Sequence, residues 1–200
     1  MSELAPIAEP FLRFQDLLEQ ARAVGAPALP EPTAFALATV GADGQPSVRI
    51  LLLKGVDERG FVFYTNHESR KATELLAHPR AAMCFHWQPL ERQIRVEGTT
   101  RVVSPEEADA YFASRARGSQ LGAWASLQSR PIASPGDLEA RVAEMEARFA
   151  GGPVPRPPHW SGFRLVPHRI EFWRGMPSRL HERDVYHREA EGWRRETLYP

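Results

Sequence analysis

The chain has 200 residues, 42% hydrophobic and 25% charged, the make-up of an ordinary soluble globular protein with room for a sizeable core. Its 25 basic and 25 acidic residues cancel, which excludes the broad basic footprint of a protein that neutralises a nucleic-acid backbone, so any anionic partner is small and locally bound. No run approaches the roughly 20 apolar residues of a membrane span, Met1 to Pro10 lacks the basic start and apolar core of a signal peptide, and a cytoplasmic protein with no membrane partner is expected.

Residues 11–24 carry apolar groups at helical spacing, and Gly25, Pro27 and Pro30 end the element, which predicts a lead helix and linker over 1–30. From Ala34 the pattern changes to strand: 34–40, a turn at Gly41-Ala42-Asp43-Gly44, 47–54, a break over 55–60, then 61–65, an antiparallel meander. Ser69 is placed to cap a short helix through Ala77 that Pro79 stops, and strands follow at 81–87 and 91–103. Ser104-Pro105-Glu106-Glu107 has the order of a capping box with proline at the first helical position, and its helix should run to about Arg115. Ser134-Pro135-Gly136-Asp137 opens a second long helix through Phe149. Four prolines in 151–158 make an extended connector, and the strands at 162–166, 168–174, 182–188 and 193–198 must rejoin the early sheet because they are too few to hold a core alone. The expectation is a single domain over 1–200, mainly β with flanking helices, whose seven or eight mostly antiparallel strands form a small barrel.

The lone cysteine, Cys84, sits in the apolar run 81–85 and reads as a small buried hydrophobe, with no disulfide framework possible in one chain. None of the seven histidines pair at the i, i+4 spacing of a helical metal site, so no metal is expected.

Only two of the 25 basic residues are lysines, Lys54 and Lys71, and both fall in the stretch that reads as an anion site. In Arg49-Ile50-Leu51-Leu52-Leu53-Lys54, strand alternation puts Arg49, Leu51 and Leu53 on one face and Lys54 on the other. Tyr64-Thr65-Asn66-His67-Glu68-Ser69-Arg70-Lys71 closes a strand and opens a helix, so amides, hydroxyls and two cations converge at a helix N-terminus as a phosphate cradle. Two cations in a first helical turn oppose the helix dipole unless an anion sits there. Tyr111, Arg115 and Ser119, spaced by four, offer a second phosphate site, although a Tyr–Arg pair at that spacing also fits a packed ring beside a solvated charge. Arg179, His181 and Arg183 alternate along an expected strand near Glu171-Phe172-Trp173, and such a row faces a ligand or water.

These stretches, with RILLLK (49–54), GFVFYTNHESRK (60–71), ERQIRVEG (91–98), YFASRARGSQLGAWAS (111–126), Gln128-Ser129, WSGFR (160–164), IEFW (170–173) and RLHER (179–183) in this order, resemble the pyridoxine/pyridoxamine 5′-phosphate oxidase family from about Pro32 to Pro200. The resemblance implies an FMN-binding split β-barrel over 31–200, homodimeric, with two FMN at the subunit interface. It implies cofactor contacts from Arg49, Ile50, Leu51, Leu52, Leu53, Lys54, Tyr64, Thr65, Arg70, Lys71 and Gln93 of one subunit and from Gln128, Ser129, Trp173 and Arg183 of the other. Lys54, Tyr111, Arg115 and Ser119 are the implied ligands of the substrate phosphate, and Arg179, Leu180 and His181 lie at its ring, with Arg179 and His181 as the catalytic pair. The implied reaction oxidises pyridoxine 5′-phosphate or pyridoxamine 5′-phosphate to pyridoxal 5′-phosphate by hydride transfer from C4′ to flavin N5. Dioxygen is the acceptor, hydrogen peroxide is released, and the amine also yields ammonia.

The chain departs from the family pattern in two places. Met1 to Pro10 holds no arginine or lysine, where many members have a basic segment over the substrate, and Thr197-Leu198-Tyr199-Pro200 stands where many end Arg-Leu-x-Pro. Two other readings compete: a related flavin oxidase of secondary metabolism, of the phenazine type, and a non-catalytic split barrel that only binds flavin or haem. Lys54 with Tyr111, Arg115 and Ser119 argues for a phosphorylated substrate against the first, and the second leaves Arg179-Leu180-His181 without a use.

Overall fold

The computed structural model describes residues 4–200; residues 1–3, which open the segment read for a signal peptide and a lid, lie outside it. In chain order it has α1 (Glu9–Val24), β1 (Ala34–Val40), β2 (Pro46–Leu52), β3 (Gly55–Asp57), β4 (Gly60–Asn66), α2 (Arg70–Ala77), β5 (Arg80–Trp87), β6 (Arg92–Val102), α3 (Pro105–Ala113), α4 (Arg117–Ala125), α5 (Pro135–Arg148), β7 (Trp160–Arg174), β8 (Glu182–Arg188) and β9 (Trp193–Thr197). The strands form one antiparallel sheet in the order β2-β1-β5-β6-β7-β4-β3, with β8 on the far half of β7 and β9 beyond it. The two ends of that path are neighbours in sequence. Leu53 donates its N–H to the Thr33 carbonyl at 2.9 Å and Lys54 to the Val62 carbonyl at 2.8 Å, so the sheet curls and meets itself at Leu53-Lys54 as a half-barrel.

Alternation along the strands puts Phe35, Leu37, Phe61, Phe63, Met83, Phe85, Ile94 and Val96 inside. The helix α1 supplies the matching stripe: Phe14 is fully buried, with its ring 4.9 Å from Phe61 and 5.0 Å from Phe85, both edge-on. Truncating Phe14 to alanine would cost about 3–5 kcal/mol by the usual scale for a buried aromatic. Arg13 ties α1 to β8 through Asp184 at 2.9 Å. A second cluster, built on Phe112, Leu121, Ala125, Met145 and Trp160, seats α3, α4 and α5 against the start of β7.

The capping box at Ser104 forms as expected, with Ser104 Oγ accepting from the Glu107 amide at 3.2 Å. Other local expectations need correction. Ser69 does not cap α2, because its hydroxyl donates to the Asn66 carbonyl at 2.7 Å. The expected break at 55–60 contains β3, which pairs with β4. The strands placed at 162–166 and 168–174 are one strand, β7, carried past Pro167 by a bulge opposite Gly98, where a β-carbon would stand 2.2 Å from the Val166 carbonyl oxygen. The helix expected to reach Arg115 stops at Ala113, and α4 follows it after three residues. Cys84 is half-buried rather than buried, since it points to the outer side of β5 between Met83 and Phe85.

Candidate active site

A cleft of about 510 Å³ opens where the end of β2, strand β4, the α3–α4 corner and the first residue of β7 meet. Its floor is aromatic. Tyr64 on β4 pairs across the sheet with Gly162, and the missing side chain there lets the phenol ring lie flat over β7. The ring stacks on Tyr111 with centroids 4.0 Å apart and on Trp160 at 5.4 Å. Burial pushes both phenols above their ordinary range, so each remains a neutral hydrogen-bonding group.

Four predicted phosphate ligands line this cleft together: Lys54 from the link between β2 and β3, Tyr111 from α3, Arg115 from the corner and Ser119 from the first turn of α4. The guanidinium of Arg115 lies over the Trp160 ring at 4.8 Å, and its buried Nη1 has no hydrogen-bond partner. Burial pulls its pKa down, as expected of a cation that has no counter-ion among the described residues. An anion at this place would satisfy it. Ile50, Leu51 and Leu52 line the same wall, whereas the Leu53 side chain is buried in the core and can offer a ligand only its backbone.

The second cradle adjoins the first. Thr65 and Gln128 line the cleft, and Thr65 donates to Gln128 at 3.4 Å. Lys71 is buried, with its ammonium 3.2 Å from both Thr65 Oγ1 and Ser69 Oγ. Burial, with Arg49 alongside, lowers its pKa below the ordinary lysine value. Arg49 and Arg70 are both held by Glu74, at 3.3 Å and 2.8 Å. Burial raises the Glu74 carboxyl, but hydrogen bonds from Thr39, Arg70 and Ser47 and the charge of Arg49 outweigh it and bring the pKa down to about 2. Three cations against one carboxylate leave this cradle doubly positive, the complement of a phosphomonoester dianion. A depression of about 320 Å³ beside it shares Gln128 and is lined by Arg70, Glu74 and Ser129. Ser129 Oγ accepts from the Arg70 amide at 3.3 Å. Gln128 and Ser129 therefore reach this cradle within the same chain, which corrects the expectation that they come from a second subunit.

The remaining predicted residues do not line the cleft. Gln93, Trp173 and Arg183 form a row across β6, β7 and β8 at the far end of β7, separated from Trp160 by roughly 40 Å along the strand. Arg179 and His181 were expected on the strand with Arg183, but they precede β8 in a tight turn where Ser178 and Arg179 take left-handed φ values of 56° and 61°. The His181 ring packs on Trp173 at 4.7 Å, and its Nδ1 accepts the Met176 amide hydrogen at 3.2 Å. With Nδ1 accepting that hydrogen bond, Nε2 is the ring nitrogen left to meet a ligand, as a donor. Leu180 is 70% exposed.

Sequence reasoning missed Trp160 and Glu74 as parts of the site. The signal for Glu74 was its place four residues after Arg70, on the same helix face. Trp160 lay within a quoted motif, but only the fold shows that it stacks under Tyr64 and Arg115.

The chain is similar to known proteins over nearly its whole length. The family model for pyridoxamine 5′-phosphate oxidase matches residues 22–149, and that for the pyridoxine 5′-phosphate oxidase C-terminal dimerisation region matches residues 160–200. A pyridoxine/pyridoxamine 5′-phosphate oxidase of Myxococcus xanthus is 62% identical over 96% of this chain and 92% of its own. One from Rubrobacter xylanophilus is 57% identical over 96% of this chain and 87% of its own. Among solved structures, PhzG from Burkholderia lata, in complex with tetrahydrophenazine-1-carboxylic acid, superposes with a TM-score of 0.88 at 32% identity, covering 96% of this chain and 92% of that one. With both family models together spanning most of its length, the chain belongs to the pyridoxamine 5′-phosphate oxidase family.

Proposed function

We propose that the chain oxidises pyridoxine 5′-phosphate and pyridoxamine 5′-phosphate to pyridoxal 5′-phosphate, with dioxygen as the final acceptor, as a cytoplasmic homodimer. Family membership makes it an FMN-dependent oxidoreductase. The observation that carries the choice of substrate is the convergence of Lys54, Tyr111, Arg115 and Ser119 on one cleft, next to a separate cradle of Arg49, Arg70 and Lys71. Two anion sites fit two phosphates, one on the cofactor and one on the substrate.

Thr65, Arg70, Lys71, Gln128 and Ser129 would hold the FMN phosphate, with Arg49 kept in line by Glu74. FMN bound there would supply the hydride acceptor, with dioxygen as the final oxidant and hydrogen peroxide as its product. The substrate loses a hydride from C4′ and a proton from its hydroxyl or amine; the imine formed from the amine takes up water and releases ammonia. The protein's part is placement. The phosphate anchored by Arg115 and Lys54 fixes one end of the substrate, and Arg179 and His181 close on its ring. Because those two lie at the opposite end of β7 from the cleft, the partner subunit would supply them, together with Trp173, Arg183 and also Gln93, which the resemblance had placed on the subunit of Arg49 but which pairs with Trp173. The exposed Val48 and Ile50 on the outer side of β2, and the match of residues 160–200 to a dimerisation region, support that pairing.

The likeness to PhzG favours a second reading, an oxidase acting on a phenazine-type substrate without a phosphate. One experiment separates them. The purified flavoprotein is mixed anaerobically with pyridoxine 5′-phosphate or pyridoxamine 5′-phosphate while the visible flavin band is followed, and air is then admitted. Bleaching, recovery and formation of pyridoxal 5′-phosphate support the proposal. A band that stays unchanged with both phosphates refutes it.

A further inference from the structure

Only 2% of the Glu171 side chain is exposed, yet it meets three guanidinium groups. Its Oε1 accepts from Arg183 Nε at 3.0 Å, and its Oε2 accepts from Arg95 and Arg169 at 2.7 Å each. The three arginines are not equivalent. Arg169 and Arg95 have a second carboxylate in Glu97, at 2.7 Å and 4.0 Å, whereas among the described residues Arg183 has no acidic partner but Glu171. Arg183 also donates from Nη1 to the Tyr199 carbonyl at 3.0 Å. With Nε and Nη1 both committed, the plane of the guanidinium is fixed. Its Nη2 edge has no partner among the described residues and remains available to a ligand.

We infer that Glu171 is a positioning residue that aims Arg183 at the flavin, an inference that rests on the proposed FMN site. The surroundings agree with a ligand-facing cation. Arg183 stands opposite Trp173 in the β7–β8 register, and Trp173 stands opposite Gln93, so the fixed guanidinium closes a row of an amide, an indole and a cation. Arg95, Arg169 and Arg183 outnumber Glu97 and Glu171 by one, so the cluster keeps a positive charge that its own carboxylates do not cancel. Removing Glu171 leaves Arg95 and Arg169 with Glu97 and releases Arg183 alone.

The test is a double-mutant cycle on FMN affinity. Full-length protein stripped of flavin is titrated with FMN by fluorescence quenching for wild type, Glu171→Gln, Arg183→Ala and the double variant, with melting temperature and oligomeric state measured on each. Each single change should weaken FMN binding by about tenfold or more, and the double variant should bind no more weakly than Arg183→Ala. Wild-type affinity in Glu171→Gln, additive losses in the double variant, or a loss that follows dissociation of the dimer would overturn the inference. Wild-type affinity in Arg183→Ala would overturn it as well while leaving the FMN site standing, whereas a wild-type protein that takes up no FMN removes that site and the inference with it. If Glu171→Gln does not fold, Glu171→Asp, which keeps the charge one methylene further back, should still fold and bind FMN several-fold more weakly. Unchanged affinity there is the overturning result.

Discussion

Tyr64 lies flat on Gly162, with its Cδ1 only 2.7 Å from where a β-carbon on that glycine would stand. The two residues pair directly across β4 and β7, so the contact is fixed by strand register. The ring cannot simply swing away, because Tyr111 stacks on it at 4.0 Å. Gly162→Ala should therefore push the stacked tyrosines into the cleft, at about 1–3 kcal/mol of overpacking. The expected outcome is a lower melting temperature and a KM for pyridoxine 5′-phosphate raised about tenfold or more, with kcat less affected. A variant with wild-type KM would show that the tyrosine stack does not shape the substrate site.

Arg115 is held over Trp160 with a buried Nη1 that nothing among the described residues satisfies. A methionine there would keep much of the packing and remove an uncompensated buried cation. Arg115→Met should leave the melting temperature of the substrate-free protein equal to wild type or higher. It should also raise KM for the phosphorylated substrate by about tenfold or more, the cost of a lost charge-assisted contact. FMN affinity should not move. Thermal scans of the FMN-loaded proteins with and without inorganic phosphate check the argument further, since the wild type should gain more stability from the anion than Arg115→Met.

Glu74 is the hinge of the cofactor cradle and the group with the clearest pH consequence. Its folded pKa of about 2 lies below its ordinary value of 4.5, so folding favours the ionised form. The stabilisation is complete above pH 4.5 and is lost as pH falls toward 2, by roughly 3 kcal/mol at most. Denaturant unfolding of wild type and Glu74→Gln at pH 7, 4 and 3 should show the wild type more stable at pH 7 and the two converging in acid. Parallel curves would mean that Glu74 is not the group responsible.

Much of this arrangement could be read in the sequence wherever a residue's role depends on its neighbours along the chain. The capping box at Ser104 is local chemistry, and it formed. Lys54, Tyr111, Arg115 and Ser119 share the cleft as their motifs implied. What failed depended on competition from distant parts of the fold. Ser69 has the right place for a cap, but the Asn66 carbonyl takes its hydrogen and the Lys71 ammonium takes its oxygen. Pro167 looked like a strand break because it lacks an N–H, yet the bulge opposite Gly98 absorbs that gap and lets β7 run through. Arg117 to Ala125 carried no cap signal and two glycines, so α4 escaped notice; its burial of Leu121 and Ala125 against Trp160 compensates for weak propensity. Glu171 reads in the sequence only as a neighbour of the row Arg179, His181 and Arg183, and the register with Arg95 and the reach of Arg183 reveal it as a hub.

The turn that carries Arg179 stores strain in two consecutive non-glycine residues, Ser178 at φ 56° and Arg179 at φ 61°. Each left-handed residue costs about 1 kcal/mol, and the turn is held by the Met176 amide on His181 and by the Leu180 amide on the Pro177 carbonyl. Such strain persists where a side chain must point in one direction. Ser178→Gly should relieve it, leaving the melting temperature unchanged or about 2 °C higher, since 1 kcal/mol shifts a chain of this size by only a few degrees. The same change widens the conformations open to Arg179. Turnover should fall by about three- to tenfold while FMN content and the KM set at the phosphate end stay near wild type. Equal kcat in the two proteins would show that the strained turn does not serve placement of Arg179.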